Sequence, residues 1–481
     1  MRGTLRRAIW IPAVLLYAAA FGASVAVRLA MPAAAEATDV GRLMKAKVHK
    51  IVHVKTTEDV SQALEEARRK GLKVSLIGTN HSQGGQSFYE GAIVLDMKSY
   101  NKVLDLDVSR RVVRVQSGAT WADVQEYANP HGLAVRTMQS SNVFSIGGSL
   151  SANVHGRDTR EGPLIDSVES FRLMLADGSV LNVSRSENAE LFPLVIGGFG
   201  LFGVILDADI RLTDNEVYRE RTVPVDYRTF PDYVRKEILA KGDVTLTIGR
   251  LSAAPDSLLN EMYVTRYETT DEPVSEELAR LTEEQNVEVN RFVFGLSRKY
   301  DWGKNFFWDA QRSIYAKQNG TLLTRNNAMR PPIEFLEYRD VQKTDLLQEY
   351  FVPMDRFVPF VNGMREIVRS EDLNLMNVTV RYVPQNEEAL LSYSRQESLA
   401  LVLLINSKRS AKDVAKLEAA TRRLVDLALE QGGSYYLTYQ LFPTKEQFAK
   451  AYPKAETFFQ LKRKWDPELL FMNEFYARYA P

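Results

Sequence analysis

The sequence predicts an α+β protein of more than one domain, and three observations carry that expectation. Its 481 residues exceed what one ordinary domain uses, so two to four domains are expected. Between Val54 and Thr213 short β-rich runs alternate with capped amphipathic helices, whereas the segments after Thr213 are longer and more polar. Gly432-Gly433 then opens a final stretch whose texture returns to that of the first. The expected organisation is a leader over residues 1–35, a first domain over 45–215, a second over 216–430, and a closing segment over 431–481.

Each element has a local reason. Thr56 and Asp59 have the spacing of a capping box, with Asp in place of the usual Glu or Gln; Val60, Ala63, Leu64 and Ala67 follow at helical spacing, and Gly71 closes the helix. Lys73 to Ile77 reads as a strand that runs into a polar, glycine-rich loop, Gly78 to Gly85. Ile93–Asp96, Val103–Leu106 and Val112–Gln116 read as short strands, and Thr120 caps a helix over Trp121–Ala128. Leu173–Leu175 and Val180–Val183 flank Asp177-Gly178 as a hairpin, and Gly203–Leu212 is a long strand. Further on, Ser275–Val289 reads as a charged helix and Tyr435–Leu441 as β-like. Arg291–Tyr315 holds eight aromatics in 25 residues. Core packing accounts for such a run, and a patch against a membrane or an apolar substrate is the sharper alternative.

Composition narrows the chemistry. Lys+Arg and Asp+Glu both number 61, so no basic excess exists to neutralise a phosphate backbone, and nucleic acid is not an expected partner. With no cysteine, disulfides, zinc-thiolate sites, iron–sulfur clusters and thiol nucleophiles are excluded. No metal site is expected. Arg2, Arg6 and Arg7 precede an uncharged run of 20 residues, Ala8–Val27, which reads as a signal anchor or a signal peptide. Ala33-Ala34-Ala35 offers a cleavage site, and removal of residues 1–35 would leave 57 basic against 61 acidic residues, a net charge of −4. The expected location is therefore membrane-anchored through this helix with the remainder exported, or secreted if the leader is cleaved.

Two loops carry the functional signal. A strand opening into Gly78-Thr79-Asn80-His81-Ser82-Gln83-Gly84-Gly85 presents successive backbone N–H groups that suit a pyrophosphate, yet neither a Walker loop nor Gly-x-Gly-x-x-Gly is present. His81 lies within it, either as a nucleophile beside the ligand or as a loop cap. The second loop runs from Ser140 through Ser145, Gly147 and Gly148 to Ala152, followed by His155-Gly156, where glycines allow backbone to approach a flat ligand.

These landmarks occur with Val115-Gln116-Ser117-Gly118-Ala119-Thr120-Trp121, Ala176-Asp177-Gly178 and Gly197-Gly198-Phe199-Gly200-Leu201-Phe202-Gly203-Val204-Ile205 in one order and spacing. In that respect the chain resembles the FAD-binding proteins of the vanillyl-alcohol oxidase / p-cresol methylhydroxylase superfamily (PCMH-type). It is most similar to the sugar-oxidase branch of aldonolactone, alditol and decaprenylphosphoryl-ribose oxidases. The resemblance implies a two-lobed FAD domain, an α/β substrate-binding cap domain, and a C-terminal segment returning to the FAD domain. It implies FAD as cofactor, gripped by Ile77, Gly78, Thr79, Asn80, His81, Ser82, Gln83 and Gly84 from the first loop. Ser140, Ser145, Gly147, Gly148, Ala152 and His155 from the second, with Val204, Ile205 and Tyr436, would complete the cofactor site. His81 stands where relatives with covalent flavin carry the bonded histidine.

On the substrate side the resemblance is thinner. Of a Glu-x-Arg pair only Arg381 survives, in Thr379-Val380-Arg381, and Tyr439 replaces a lysine. His155, Tyr439 and Glu349 are the candidate base or orienting groups, with Arg381 beside them. The implied reaction is oxidation of a CH–OH group by hydride transfer to flavin, on a small-molecule or lipid-linked sugar, with oxygen or another acceptor receiving the electrons. A membrane-tethered flavin protein without turnover and a cytokinin-dehydrogenase-like enzyme are the alternatives.

Overall fold

The computed structural model describes Leu16, residues 18–23, 37–338 and 340–481. The expected leader, residues 1–35, lies almost wholly outside the described residues, and among those described no helix is long and apolar enough to cross a membrane.

Three strands, β1 (Lys50–His53), β2 (Val74–Ile77) and β3 (Ile93–Asp96), form a small parallel sheet in the order β1-β3-β2. Helix α1 (Thr57–Lys70) connects the first two. It starts at the expected capping box, Thr56 with Asp59, and ends at Gly71 in the left-handed conformation (φ 66°), which glycine adopts without a Cβ clash. Its Val60, Ala63, Leu64 and Ala67 bury against this sheet and against Leu470 and Phe471 from the far end of the chain.

A second sheet follows from β4 (Val103–Asp107), β5 (Val112–Gln116), β6 (Leu133–Val135), β7 (Val168–Met174), β8 (Val180–Ser184) and β9 (Val204–Asp214). Its order is β8-β7-β9-β5-β4, with β6 also pairing with β9, and every pairing is antiparallel. The predicted β7–β8 hairpin pairs Val180 with Met174. Helix α2 (Trp121–Ala128) begins at a second capping box, Thr120 with Asp123, and α3 (Ile146–Ala152) lies inside the second glycine-rich loop.

The strands after β9 make one antiparallel sheet of eight. They are β10 (Val217–Pro224), β11 (Val244–Leu251), β12 (Met262–Thr269), β13 (Leu322–Thr324), β14 (Lys343–Pro353), β15 (Leu375–Val383), β16 (Ser398–Lys408) and β17 (Ser434–Tyr435). The order is β13-β10-β12-β11-β15-β16-β14-β17. Two helices, α4 (Val287–Lys299) and α5 (Asp301–Gln318), precede β13; α6 (Phe357–Ser370) and α7 (Ala411–Glu430) lie elsewhere in the lobe. Alternation along β14 separates the sheet's two faces. Gln348 bonds Thr421 of α7 and Tyr350 meets Phe360 of α6, so the intervening Leu347, Glu349 and Phe351 point the other way.

Two expectations need correction. The charged stretch Ser275–Val289 is not one helix: it forms a single turn at Glu276–Ala279, and helix resumes only at Val287. Between them Thr282 donates its amide to Asn327, and the Glu284 carboxylate accepts the amides of Ile333, Glu334 and Phe335, so these residues tie down another loop. Tyr435–Leu441 is β only at Ser434–Tyr435. Beyond that its backbone partners are side chains and loop groups: Gln86 donates to the carbonyls of Leu437 and Tyr439, and the Gln83 amide donates to Thr438. The aromatic run is divided, with Phe294 and Trp308 buried while Trp302 and Phe306 stay exposed.

Candidate active site

The two glycine-rich loops touch. Thr79 accepts the Ser145 amide at 3.2 Å, and a Cβ on Gly78 would collide with the Ser145 side chain. Gly147 lies against Ser117, to whose carbonyl it donates at 2.7 Å; a Cβ there would come within 2.8 Å of the Ser117 Cβ. Asn80 is left-handed (φ 59°), a conformation Asn tolerates better than most residues, and donates its amide to Thr38.

These loops form one wall of a cavity of about 1540 Å³, larger than the ~300–1,000 Å³ of an ordinary small-ligand pocket. Every expected cofactor residue except Gly84 lines it: Ile77, Gly78, Thr79, Asn80, His81, Ser82, Gln83, Ser140, Ser145, Gly147, Gly148, Ala152, His155, Val204, Ile205 and Tyr436. Gly84 instead packs beneath the Tyr439 carbonyl, leaving no room for a side chain. Asn80 Oδ1, Ser117 Oγ and Ser140 Oγ are buried on this wall without a hydrogen-bond partner, so polar groups await a ligand along its length. Room, side-chain-free approaches and orphaned polar atoms together fit a long, polar, flat dinucleotide.

The opposite wall is the free face of the eight-stranded sheet. Register builds it: Glu349 lies opposite Val402, Val402 opposite Thr379, and Thr379 opposite Arg250, so all four share a face, with Arg381 two residues along from Thr379. Glu349 is 3% exposed. Its Oε1 is 2.6 Å from His155 Nε2 and its Oε2 accepts from the Tyr439 hydroxyl at 3.2 Å. A carboxylate only accepts, so His155 presents Nε2–H and its buried Nδ1 has no partner. Burial is the largest influence on Glu349 and works to raise its pKa; the charge and hydrogen bond of His155, then Arg381 and Tyr439, outweigh it and hold the carboxyl below its ordinary 4.5. Burial, then the Glu349 charge, pushes the Tyr439 phenol well above its ordinary 10.

All four expected substrate-side residues thus meet. Glu349 and Arg381 come from the sheet, His155 follows α3, and Tyr439 arrives on the loop after β17. That loop is anchored where the Tyr436 hydroxyl donates to the Ala152 carbonyl at 2.9 Å. His81 lines the cavity with its ring 4.5 Å from that of Phe144. Although much of its surface is open to the cavity, protein crowded around it lowers its pKa against the opposing charge of Glu337, favouring neutral imidazole. The sequence reading missed Arg157, Glu220 and Arg250, which line the same cavity. The only signal for the last two was a charge on strands whose register the sequence did not reveal.

Two family descriptions match the chain. An FAD binding domain matches residues 48–184, and D-arabinono-1,4-lactone oxidase matches residues 277–479. Over most of its length the chain is similar to FAD-binding, PCMH-type oxidoreductases. Among its relatives, an uncharacterized oxidoreductase of the fasciation locus in Rhodococcoides fascians is 32% identical over 36% of this chain and 40% of its own length. L-gulonolactone oxidase of Bos taurus is 23% identical over 87% of this chain and 92% of its own. Decaprenylphosphoryl-beta-D-ribose oxidase of Mycolicibacterium smegmatis is 23% identical over 87% and 91%. The match to an FAD binding domain gives FAD as the cofactor.

Proposed function

We propose that this FAD-dependent oxidoreductase oxidises a CH–OH group of a sugar-type substrate, a sugar lactone, alditol or lipid-linked sugar. The observation that carries the reading is the chain His155–Glu349–Tyr439, set on the sheet face across one cavity from the two glycine-rich loops.

When bound, FAD supplies a two-electron acceptor for the hydrogen on the carbinol carbon. Ile77 to Gln83 and Ser140 to Ala152 would hold it, with Val204, Ile205 and Tyr436. Glu349 accepts the substrate hydroxyl and takes its proton. It is the better base because it is held ionised, whereas Tyr439 stays protonated and donates. His155 fixes the carboxylate from behind; its Nδ1 is enclosed by protein, so its role is positioning. Arg381 adds a positive charge beside Glu349 and Tyr439. The product is a ketone or, from a lactol, a lactone.

His81 is the residue we assign to covalent flavin attachment, supported by its position on the cavity wall and its preference for the neutral form. We also read residues 1–35 as an export leader or anchor, supported by the basic head and the uncharged run; extraction of membranes with carbonate tests that reading. The function is tested by mixing purified protein anaerobically with aldonolactones, alditols and a polyprenyl-phosphate sugar. Bleaching of flavin absorbance by at least one is expected, and no bleaching by any would overturn the proposal. Acid precipitation tests His81: colour should stay in the pellet, and flavin released to the supernatant rules the bond out.

A further inference from the structure

The floor of the cavity carries more positive charge than the reaction uses. Glu349 has three partners for its negative charge in His155, Tyr439 and Arg381. Two further guanidinium groups line the same cavity. Arg250 is half-buried and, among the described residues, its side chain bonds only the Thr379 hydroxyl opposite it, and Arg157 is 6% exposed and donates to the Ala328 carbonyl. No carboxylate forms an ion pair with Arg157, Arg250 or Arg381 among the described residues. The buried Nε of Arg381 has no hydrogen-bond partner, and the charges of Arg157 and Arg250 bear on it unfavourably. Glu220, which feels the Arg157 charge, is itself buried with Oε1 unpartnered, and burial lifts its pKa to about 7, so it neutralises Arg157 only in part at neutral pH. The Glu349 charge offsets Arg381, but three cations crowded with so little counter-charge are costly unless something negative completes them.

We propose that Arg250, Arg157 and Arg381, with the Thr379 hydroxyl, form an oxyanion subsite that binds a carboxylate or phosphate carried by the substrate. This rests on the reading of the cavity as a flavin and substrate site. Arginine suits the role because its planar fork matches two oxygens of either anion. The sheet sets the distance. Arg250 and Glu349 stand on strands three steps apart, about 14 Å between backbones at ~4.8 Å per step, and the arginine side chain reaches across part of that gap. The substrate is therefore an anionic sugar derivative whose acid group lies several carbons from the hydroxyl that is oxidised: a sugar acid or a sugar phosphate, free or as a phosphodiester. Lactones and alditols without an anion would enter, but weakly.

The test uses the flavin-loaded protein. Inorganic phosphate and acetate are each titrated while the visible flavin spectrum is recorded, and anaerobic flavin reduction by D-glucitol is compared with that by D-gluconate and D-glucitol 6-phosphate. At least one anion should perturb the spectrum saturably, and Arg250→Gln should weaken that anion about tenfold or more. Arg250→Lys should restore part of the loss. Which anion binds tells carboxylate from phosphate, and the matching sugar should reduce flavin with a KM at least tenfold below that of glucitol. A spectrum unmoved by either anion in wild type, or glucitol reducing as well as both anionic sugars, overturns the subsite while leaving the flavin reading intact. Should Arg250→Gln fail to fold, these wild-type measurements decide alone. Failure of the protein to bind flavin would overturn the reading beneath it and the subsite with it.

Discussion

Glu349→Gln isolates the proton-accepting step. The substitution keeps side-chain volume but removes the charge that His155 meets at 2.6 Å and Tyr439 at 3.2 Å. Glutamine offers one acceptor and one NH2, so one of the two present donors must face another donor or turn away. Loss of a positioned base costs about 10²–10⁴ in rate, or roughly 3–5 kcal/mol at 1.36 kcal/mol per decade. The assay is anaerobic stopped-flow reduction of the flavin, which reads the reductive step apart from reoxidation. Glu349→Gln should lower the limiting reduction rate by at least a hundredfold while flavin stays bound. In the wild type the pKa of Glu349 is lowered, so its ionised form persists into acid; the rate should hold from neutral pH down to about 4.5 and fall only below it. A loss smaller than tenfold, or a rate that already collapses near pH 6, would refute Glu349 as the base.

Gly84→Ala should lower stability by about 1–3 kcal/mol and slow flavin reduction as well, because the new Cβ pushes into the carbonyl of Tyr439; thermal unfolding and stopped flow check the pair. Asp466→Asn should cost about 3–5 kcal/mol at neutral pH, since Lys462 (0% exposed) and Asp466 (1% exposed) are buried ion partners, and denaturant titration measures it. The same pair sets a pH dependence. Burial depresses the folded pKa of Lys462 from 10.5 to about 8, so the unfolded chain binds more protons between those values and wild-type stability should rise across that window. Without Asp466 the rise should begin at lower pH. Stability of the wild type that falls between pH 8 and 10.5 would contradict the sign.

Where function depends on local chain chemistry, the sequence was readable. Capping pairs at Thr56/Asp59 and Thr120/Asp123, the Gly71 terminus and the strand-to-loop transition at Ile77–Gly78 each act within a few residues, and all stand where expected. The two glycine-rich loops that line the cavity were legible for the same reason: glycines and small polar residues leave a local signature of backbone that can come close to a ligand. His155, Glu349, Arg381 and Tyr439 were candidates through resemblance, but their mutual arrangement was not visible, because it depends on strand register. A slip of one residue between β15 and β16 would turn Arg381 and Thr379 to the helix-covered face. Arg250 and Glu220 went unnoticed for that reason, each being one charge on a strand whose inward face no local pattern marks. The tail makes the converse case. Gln86 read as an ordinary polar residue, yet its bonds to the Leu437 and Tyr439 carbonyls hold the tail against the first glycine-rich loop and bring Tyr439 to Glu349. The chemistry therefore depends on contacts between residues some 350 positions apart. Mutations in this tail should be judged first by their effect on the Tyr439–Glu349 bond and only then by their effect on the fold.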